Sequence, residues 1–441
     1  MISFFDRSFH SVVFWGAWLI IPFLMEFIPA MRSIFILHKR HKDLNERREL
    51  KFFPDVTLIV PVYNSEKTLF NCLRSINDST YPNKHLHILL VNNKQGESGD
   101  FDIYARAQKT FPSLLMQWLE SSQGKSRALN MALYSSDGKY IFNVDSDGVF
   151  DKHAIMNMVE KFEANEDIAC MTGTVLTDPR LIKKEKGFWH RVLCRLEFME
   201  YAQAFLAGRS YAAKDNEIYT LSGAFSAFRK DAVLKSRMYN TSTICEDTQM
   251  TFQMKYLYGK KVEICEDAIF YVDPIENVQK LYTQRQRWQR GSLEVSKMFQ
   301  DRFSFRNALR DENVRTVLYD HTFAFPRAIW YVITLYLIII KYSRDILILT
   351  SIFIYLMYVI IGIAYFRSAV SYMGQMPETK KFYKRNFGLV FLLPFYTTEI
   401  YLFRMAGIVN SIGTDSAWKT RNMKEEAQAV GDVIRRDFTD R

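Results

Sequence analysis

Two pairs of acidic residues in this chain have spacings that suit chemistry at a metal ion or a hydroxyl group. Asp145 and Asp147 flank Ser146 directly after an apolar run. Residues i and i+2 of an extended backbone point the same way, so one turn can present both carboxylates to a single ion. Carboxylate oxygens suit Mg²⁺ or Mn²⁺, which often keep substrate phosphates in their shell. The structural alternative is a surface turn in which the aspartates bond nearby backbone.

The second pair is Glu246 and Asp247, which end the tetrapeptide Ile-Cys-Glu-Asp. A positioned carboxylate of this kind can take a proton from an attacking hydroxyl. The same tetrapeptide recurs at 264–267, so Asp267 is a second candidate. The apolar run Ala268–Val272 that follows the second copy predicts a strand, which favours a structural or solvated role for Asp267.

A third group has helical spacing. Gln284, Arg287 and Trp288 stand at i, i+3 and i+4, which is one face of a helix. Arg287 can compensate charge that grows on a departing anion, and Trp288 can stack on a sugar ring. The alternative is an amphipathic helix under a membrane, with its arginines reaching towards water.

The elements that must position these groups alternate between strand and helix. Apolar runs predict strands, and a helix is predicted where Leu69, Cys72, Leu73 and Ile76 share one face. The predicted strands are Val56–Val62, Leu86–Val91, Leu114–Leu119 and Tyr140–Val144, and a second helix is predicted over Lys125–Tyr134 with Gly124 at its entry. This alternation predicts a mostly parallel sheet with helices on both faces.

Further polar residues follow these predicted strands. Tyr63, near the end of the first, offers a ring for stacking, and Glu66 offers an acceptor. Lys125 begins a helix, where the dipole suits an anion. Ligands bind at the carboxyl ends of such strands, which predicts a binding site from Pro61, Tyr63, Asn64, Glu66, Asn92, Lys125 and Asp145. A strand-to-helix turn with Ser65 as N-cap is the compatible structural reading.

Composition places part of the chain in a membrane. Of 441 residues, 48% are apolar and 24% charged, and the apolar residues are segregated. Ile346–Phe366 is 21 uncharged residues, enough to cross a bilayer as a helix. Thr322–Ile340 and Ser11–Met31 are further candidate spans. Phe387–Val409, with Glu399 and Arg404, either crosses the membrane or lies in its interface, and the cation-rich tail after it favours the interface.

The net charge of +10 does not indicate nucleic-acid binding, because the cations are placed beside the apolar segments. Cations beside a span mark its cytoplasmic side, so the N-terminus is expected outside and the large polar block inside the cell. The two clusters are Arg32, Lys39, Arg40, Lys42, Arg47, Arg48 and Lys51 after the first segment, and Lys380, Lys381, Lys384 and Arg385 after Ile346–Phe366. The odd count of five cysteines, with no paired metal spacing, indicates reduced thiols.

Taken together, these motifs resemble those of the processive family 2 glycosyltransferases, which include cellulose, hyaluronan and poly-N-acetylglucosamine synthases. The resemblance covers about residues 52–300 and, loosely, the flanking membrane segments. Within the family, it points to the Gram-positive exosortase-associated subgroup. Three elements carry it besides the Asp-x-Asp pair: Gln123–Asn130, Glu246-Asp247 and Gln284-Arg285-Gln286-Arg287-Trp288, with Leu221-Ser222-Gly223-Ala224 as a looser match to the acceptor loop.

The resemblance implies a fold and a set of roles. The fold is a GT-A-type, mostly parallel nucleotide-sugar-binding sheet flanked by helices, with transmembrane and interfacial helices added. Asp145 and Asp147 would hold Mg²⁺ or Mn²⁺ on a nucleotide diphosphate. The family spacing selects Asp247 as the general base, since it lies 37 residues before Gln284 whereas Asp267 lies 17 before it. The catalytic group is then Asp247, Glu246, Gln284, Arg287 and Trp288.

Two positions depart from the family pattern. Asn92-Asn93 stands where an acidic pair is usual, and Cys245 stands where threonine is usual. Asparagine can still accept from a base N–H and also donates. A UDP-linked donor is therefore expected, but the base is less firmly fixed.

The resulting hypothesis is an inverting, metal-dependent, processive transferase that extends a β-linked polysaccharide at the cell membrane. Its expected partners are a nucleotide-sugar donor, a growing glycan or glycolipid acceptor and the membrane. Three or four spans are few for a channel, so a partner subunit or homo-oligomer stays open. The alternatives are a non-processive transferase that adds one sugar to a lipid carrier, and an inactive membrane scaffold.

Four regions follow from this interpretation. Residues 1–51 form an N-terminal span and basic cytoplasmic linker, and 52–300 a cytoplasmic catalytic domain. Residues 301–411 form interfacial and transmembrane helices, and 412–441 a basic tail. The expected location is the plasma membrane, multi-pass, with the catalytic domain cytoplasmic.

Overall fold

The computed structural model describes residues 22–43, 50–94, 99–302 and 324–411, with the isolated Glu425 and Gln428. Three sequence expectations lie wholly or partly outside these ranges. Most of the candidate span Ser11–Met31, the cations Arg47 and Arg48, and nearly all of the tail 412–441 are among the residues not described.

One eight-stranded sheet forms the centre of the described chain, in the order β3-β2-β1-β4-β7-β6-β8-β5. The four strands predicted before Asp145 are present within one residue of their expected bounds, whereas the strand predicted over Ala268–Val272 begins earlier, at Lys261. The strands are β1 Val56–Val62, β2 Leu86–Asn92, β3 Leu115–Glu120, β4 Tyr140–Val144, β5 Gly148–Phe150, β6 Ile168–Thr177, β7 Phe225–Arg229 and β8 Lys261–Val272.

The sheet is mixed, with four of its seven strand pairs parallel, so the expectation of a mostly parallel sheet is met only in part. Strands β1, β2, β3 and β4 pair in parallel, as predicted. β7 then enters antiparallel to both β4 and β6, and β5 pairs antiparallel with β8. Apolar runs reveal that a strand is buried but not its direction, so the sequence pattern could not predict the reversal.

Helices cover the sheet and extend beyond it. Helix α1, Ile28–Asp43, precedes the sheet. The helices within residues 52–300, the catalytic block, are α2 Leu69–Asn77, α3 Asp100–Thr110, α4 Lys125–Tyr134, α5 Ala154–Ala164, α6 Pro179–Ile182, α7 Phe188–Gln203, α8 Ser210–Ala213, α9 Lys230–Leu234, α10 Glu246–Phe252 and α11 Val278–Met298. Those that follow are α12 Ala324–Ile339, α13 Arg344–Tyr372, α14 Pro377–Arg385 and α15 Leu393–Ser411. Short π-helical turns occupy Phe23–Phe27, Ala204–Arg209 and Gln253–Leu257, and 3-10 turns occupy Asn83–His85, Gln300–Arg302 and Phe387–Phe391.

Burial and aromatic packing in the core fix the positions of the central strands. Every residue of β1, β4 and β6 is buried. Three phenylalanine rings meet beneath the turn after β4, with Phe150 centred 4.9 Å from Phe225 and 5.0 Å from Phe270. A Cβ on Gly148 would lie 2.2 Å from the Phe270 ring, so the residue after Asp147 must be glycine for the turn to sit this close.

The apolar segments after the sheet fold as helices. Among the described residues, α13 is the helix long and apolar enough to cross a membrane, at 29 residues, and it contains the predicted Ile346–Phe366. The described part of Thr322–Ile340 is α12, which is 16 residues long, so that span stays a prediction. Phe387–Val409 becomes a 3-10 turn followed by α15.

Helix α1 is fastened to the catalytic block and to α13. Arg40 Nη2 lies 2.6 Å from Glu263 Oε1 and 3.2 Å from Glu266 Oε1, both on β8. Tyr372 Oη donates to the Leu37 carbonyl at 3.0 Å, which joins the end of α13 to α1. The chain before the sheet and the chain after it therefore meet on the same side of β8.

Candidate active site

The exits of β1 and β4 are joined by a hydrogen bond that sets the position of the Asp-x-Asp turn. Ser65 Oγ lies 2.6 Å from Ser146 Oγ, and both side chains are buried. Ser65 is not the N-cap of α2, contrary to expectation. The helix begins at Leu69, and Thr68 is its N-cap. Asp145 N donates to the Ala224 carbonyl at 3.0 Å, which fixes the turn against the start of β7.

Lys125 is the centre of the site. Its Nζ lies 2.5 Å from Asp145 Oδ1 and 3.3 Å from Glu246 Oε1, and it donates to the Gly223 carbonyl at 3.0 Å. Burial alone would lower the pKa of Lys125, but the Asp145 and Glu246 carboxylates raise it above its usual value, so the ammonium stays charged. One cation thus ties together three motifs that are distant in sequence.

Asp247 occupies the N-terminus of α10, beside Lys125 and Gly223. Its Oδ1 accepts from Thr248 N at 2.7 Å, and its Oδ2 accepts from Gly223 N at 3.0 Å. These two backbone donors hold the carboxylate in one orientation. Burial raises the pKa of the adjacent Glu246, an effect that Lys125 opposes and Asp247 reinforces.

The acceptor-loop match, loose in sequence, proves central in space. Gly223 donates its N–H to Asp247 and its carbonyl accepts from Lys125. A Cβ at this position would lie 3.0 Å from Asp247 Oδ2 and 3.4 Å from Lys125 Nζ. The glycine therefore lets the loop approach both groups closely.

The donor set at the Asp-x-Asp turn fits Mg²⁺ or Mn²⁺. Asp147 is exposed, and desolvation within the cleft together with the nearby Asp145 raises the pKa of Asp147 to about 6. No cluster of three or more metal-ligating side chains occurs in the described ranges. Two carboxylates are nevertheless the usual protein share for Mg²⁺, which takes its remaining ligands from water and substrate phosphates.

The predicted base-binding residues lie at the exits of β1 and β2. The Tyr63 side chain is 51% exposed, as a stacking surface requires, and Asn64 has a positive φ of 54°. Asn92 is already engaged: its Nδ2 donates to Glu120 Oε2 at 2.8 Å, and its Oδ1 accepts from Lys94 N at 3.1 Å.

Glu120 is a residue that the motif analysis missed. It is the register partner of Asn92 at the end of β3, and its Oε1 accepts from Trp118 Nε1 at 2.5 Å. The signal in the sequence was its position at the carboxyl end of a predicted strand. Asn93, next to Asn92, carries a buried side-chain oxygen with no hydrogen-bond partner in the structure.

The Gln-x-x-Arg-Trp element lies on α11, as its spacing predicted. Trp288 is 41% exposed, and Gln284 and Arg287 are half-buried. The intervening Arg285, which no motif argument used, is buried and donates from Nη2 to Glu200 Oε2 at 2.7 Å. Its guanidinium carbon lies 4.5 Å from the centroid of a Trp288 ring. Arg285 therefore fixes the tryptophan against α7.

Helix α15 packs on α11 and adds to this support. Tyr396 Oη donates to the same Glu200 Oε2 at 2.7 Å, and Arg404 Nε donates to Gln289 Oε1 at 2.8 Å. Arg404 is a charged residue within the apolar segment Phe387–Val409, and its contact with Gln289 shows that it faces the protein.

The second Ile-Cys-Glu-Asp copy lies within β8, away from the lysine-centred site. Asp267 is buried, where Cys265 Sγ donates to its Oδ1 at 3.5 Å and Asn157 donates to its carbonyl at 2.9 Å. Glu266 pairs with Lys161 at 2.9 Å as well as with Arg40. Its contacts join helices to the sheet.

Comparison with known proteins agrees with this geometry. Residues 57–236 match the model of glycosyl transferase family 2. The chain carries a family 2 glycosyltransferase domain, which confirms the family and the enzyme class expected from the motifs. This match spans β1 to β7 and ends before α10 and α11, so the roles of those two helices rest on the geometry.

The curated relatives that match include polysaccharide synthases. A poly-beta-1,6-N-acetyl-D-glucosamine synthase of Staphylococcus epidermidis is 25% identical over 278 residues, which are 62% of this chain and 64% of the relative. The synthase of Staphylococcus aureus strain COL is 24% identical over 295 residues, covering 66% and 68% of the two chains. The matched region thus spans just under two thirds of the length of the first relative.

A solved structure supports the fold. A mannosyltransferase from Pyrobaculum calidifontis, in complex with GDP-Man and Mn²⁺, superposes with a TM-score of 0.53 at 16% identity. The likeness covers 90% of this chain and 99% of that one. At this identity the likeness concerns the fold, a mixed sheet with flanking helices as in GT-A enzymes.

Proposed function

We propose that the protein is an inverting, metal-dependent, processive glycosyltransferase that extends a β-linked polysaccharide at the membrane from a nucleotide sugar. The observation that carries the proposal is the lysine-centred site. Lys125 contacts Asp145, Glu246 and the Gly223 carbonyl, and Asp247 accepts from the Gly223 N–H. A metal-binding turn, an anion-binding cation and a proton acceptor thereby share one edge of the sheet.

Asp145 and Asp147 would hold Mg²⁺ or Mn²⁺, and the ion when bound supplies positive charge to the leaving diphosphate. Lys125 and Arg287 add fixed positive charge on the protein side. Pro61, Tyr63, Asn64, Glu66 and Asn92 are proposed to hold the nucleoside, with Tyr63 stacking on the base.

Asp247 is the proposed general base. Its carboxylate would take the proton of the acceptor hydroxyl while that oxygen attacks the anomeric carbon and the bond to the diphosphate breaks. A single displacement inverts the configuration, so an α-linked donor gives a β-linkage. Trp288, held by Arg285, offers the exposed ring on which the acceptor sugar stacks.

The relatives direct the choice of substrate. Because they are named poly-beta-1,6-N-acetyl-D-glucosamine synthases, UDP-linked N-acetylglucosamine is the first donor to test. The structural neighbour was solved with GDP-Man, so a GDP-sugar belongs in the same panel. The base specificity matters here because Asn92-Asn93 stands where an acidic pair is expected, and Asn92 bonds Glu120.

The membrane assignment is also a proposal. It rests on α13, and on Thr322–Ile340 and Ser11–Met31 from the sequence. We propose a multi-pass protein of the plasma membrane with residues 52–300 as its cytoplasmic catalytic domain, between an N-terminal span (1–51) and a membrane-associated region (301–411) with a basic tail (412–441). A partner subunit or second copy completing the glycan path fits the small number of spans.

The test is nucleoside diphosphate release by membranes that contain the full chain, measured across UDP- and GDP-sugars with and without Mn²⁺. The proposal expects release that EDTA abolishes and that Asp145→Asn and Asp147→Asn each abolish. Product length on the purified protein then separates chain extension from addition of a single sugar. Full release in EDTA would remove the metal from the proposal, and no release with any donor would leave the scaffold alternative.

A further inference from the structure

Two large aromatic side chains lie exposed at the start of α7, outside the site described above. Phe188 is 65% exposed and Trp189 is 78% exposed, and their rings contact edge to face with centroids 5.2 Å apart. Half of the remaining residues of α7 are buried, including Phe198, Met199 and Ala202. Water contact for two adjacent large aromatics is unfavourable, and such a pair commonly marks a binding surface.

The surroundings of this pair are strongly basic. Exposed cations precede it in the chain and others lie on α14: Lys183, Lys184, Lys186, Lys381, Lys384 and Arg385. Acidic side chains near them include Glu185, which pairs with His190 at 3.3 Å, Glu378, and the exposed Asp273, which interacts with Glu185. We call Phe188, Trp189 and these six cations the aromatic-basic patch. Six cations against these three acids leave the patch positive.

Helix α14 ties the patch to the end of the candidate membrane span. Lys183 Nζ lies 5.7 Å from the Phe382 ring centroid, and Phe198 of α7 lies 5.1 Å from the same ring. The next residue of α14, Tyr383, stacks on Phe366 of α13 at 4.4 Å. α7 therefore lies alongside a helix that begins five residues after α13 ends.

The exposure along α13 shows where its apolar surface begins. Ile348, Leu349, Ile352 and Phe353 are about half exposed or more, whereas Ala369 and Tyr372 near the other end are buried against the protein. Phe387 and Phe391, directly after α14, are exposed as well. The exposed apolar side chains of α13 extend to Ile360, six residues or about 9 Å along the helix from Phe366, on which Tyr383 of α14 stacks.

We propose that the aromatic-basic patch docks on the anionic surface of the bilayer that α13 crosses, with Phe188 and Trp189 inserted among the headgroups. Aromatic rings favour the membrane interface, and basic residues near an anionic leaflet are attracted to its surface charge. Docking would hold α7, and with it Glu200 and the Arg285–Trp288 pair, at a constant height above the bilayer. This inference rests on the membrane location in the proposed function.

The test places a reporter at the patch in the full chain. All five native cysteines are buried, so a cysteine introduced by Trp189→Cys takes a maleimide-linked NBD dye selectively. The labelled protein is reconstituted in nanodiscs of phosphatidylcholine with phosphatidylglycerol, with and without spin-labelled lipid. The matched control is Tyr134→Cys, whose side chain is 79% exposed at the end of α4, near the amino ends of β1 and β4.

The expected result is blue-shifted emission and quenching by spin-labelled lipid at position 189, and neither at position 134. Adding Lys183→Glu, Lys184→Glu and Lys186→Glu is expected to reduce the quenching at position 189. Emission and quenching at position 189 equal to those of the control would overturn the proposal. A second outcome would also overturn it: a blue shift without lipid quenching, together with oxidative cross-linking of two chains through position 189. The patch would then bind a second copy of the chain.

Nucleoside diphosphate release by the same samples keeps this inference separate from the proposed function. Release that persists without quenching overturns the docking alone. Quenching without release with any donor overturns the proposed reaction and leaves the docking in place.

Discussion

At the scale of single residues, the site depends on a lysine that neutralises carboxylates from two motifs. A buried carboxylate without a partner is costly, and Lys125 provides that partner to both Asp145 and Glu246. This leaves Asp247 held by backbone N–H groups instead of by a cation contact. That difference favours Asp247, over Asp145 and Glu246, as the proposed proton acceptor.

The first prediction concerns Asp247. Asp247→Asn keeps the shape of the side chain and removes its basicity, so nucleotide-sugar binding should stay near normal. Glycosyl transfer should fall by at least about 10²-fold, a typical share for general base catalysis. Donor affinity by calorimetry and product formation by radiolabel measure the two effects separately.

The repeated tetrapeptide supplies the control for this variant. Asp267→Asn, in the second Ile-Cys-Glu-Asp, should change transfer only slightly because Asp267 lies within β8. If the two variants exchanged their effects, the assignment of the base to the first copy would be wrong.

A second prediction at this scale concerns pH. Burial raises the pKa of Glu197 to about 7, against the opposing effects of the Ile275 N–H, which it accepts at 3.0 Å, and of Arg285. A carboxyl group whose pKa is higher folded than unfolded stabilises the fold below its unfolded pKa of about 4.3, and this contribution is lost as pH rises through the folded value.

Glu197→Gln removes this titration. Relative to the variant, the wild-type protein should lose thermal stability between about pH 4.5 and pH 7, the window set by the unfolded reference and the raised value. Melting temperatures of the purified protein in detergent across this range measure the difference. Glu378→Gln, at an exposed position, is the control and should follow the wild-type curve. Parallel curves for wild type and Glu197→Gln would contradict the prediction.

At the scale of elements, the pairing of α11 with α15 connects the Trp288 helix to the membrane-associated part of the chain. Tyr282 and Phe403 contact edge to face at 5.1 Å, and Gly407 lies where a Cβ would come within 3.2 Å of Gln286 Cα. The two helices can approach this closely because residue 407 has no side chain.

The third prediction tests this crossing. Gly407→Leu should push α15 away from α11, lowering the melting temperature and nucleoside diphosphate release together, since overpacking a close contact costs about 1–3 kcal/mol. Gly388→Leu is the matched control, because a Cβ there meets no atom within 4 Å. A Gly407→Leu protein as stable and active as the control would mean that the helices do not pack as described.

At the scale of the whole molecule, the chain on both sides of the catalytic block converges on one face. Ser33 Oγ lies 2.8 Å from Tyr365 Oη, and Tyr372 bonds the Leu37 carbonyl, so α1 runs along the end of α13. Arg40 then pairs α1 with Glu263 and Glu266 of β8. The apolar helices and the sheet are thereby held in one assembly.

The fourth prediction concerns topology. Cations beside the spans predict that a reporter fused after Lys51 or within residues 100–130 reads cytoplasmic and that one at the N-terminus reads external. A reporter at Arg441 should also read cytoplasmic, because α15 packs along α11 and Arg404 bonds Gln289 there. An external reading at Arg441 would mean that α15 spans the bilayer. Glu399 and Arg404 would then have to face protein or a water-filled path instead of lipid.

The sequence alone determined the local structure and the chemistry of the motifs. β1, β4 and α4 begin and end at the residues predicted from the sequence. Strand burial and helix faces are local properties, which show as continuous apolar runs in buried strands and as apolar residues three and four apart in helices. The family and enzyme class also followed from motif order, although the roles of individual site residues stay predictions.

The tertiary structure alone decided how distant segments meet. Glu200 and Tyr396 lie 196 residues apart, and no periodic pattern links them, yet they share a hydrogen bond beside Trp288. The reversal of β7, the engagement of Asn92 by Glu120 and the position of Gly223 between Lys125 and Asp247 are of the same kind. The physical reason is that such contacts depend on chain direction and on packing between elements, which residue spacing along one segment does not specify.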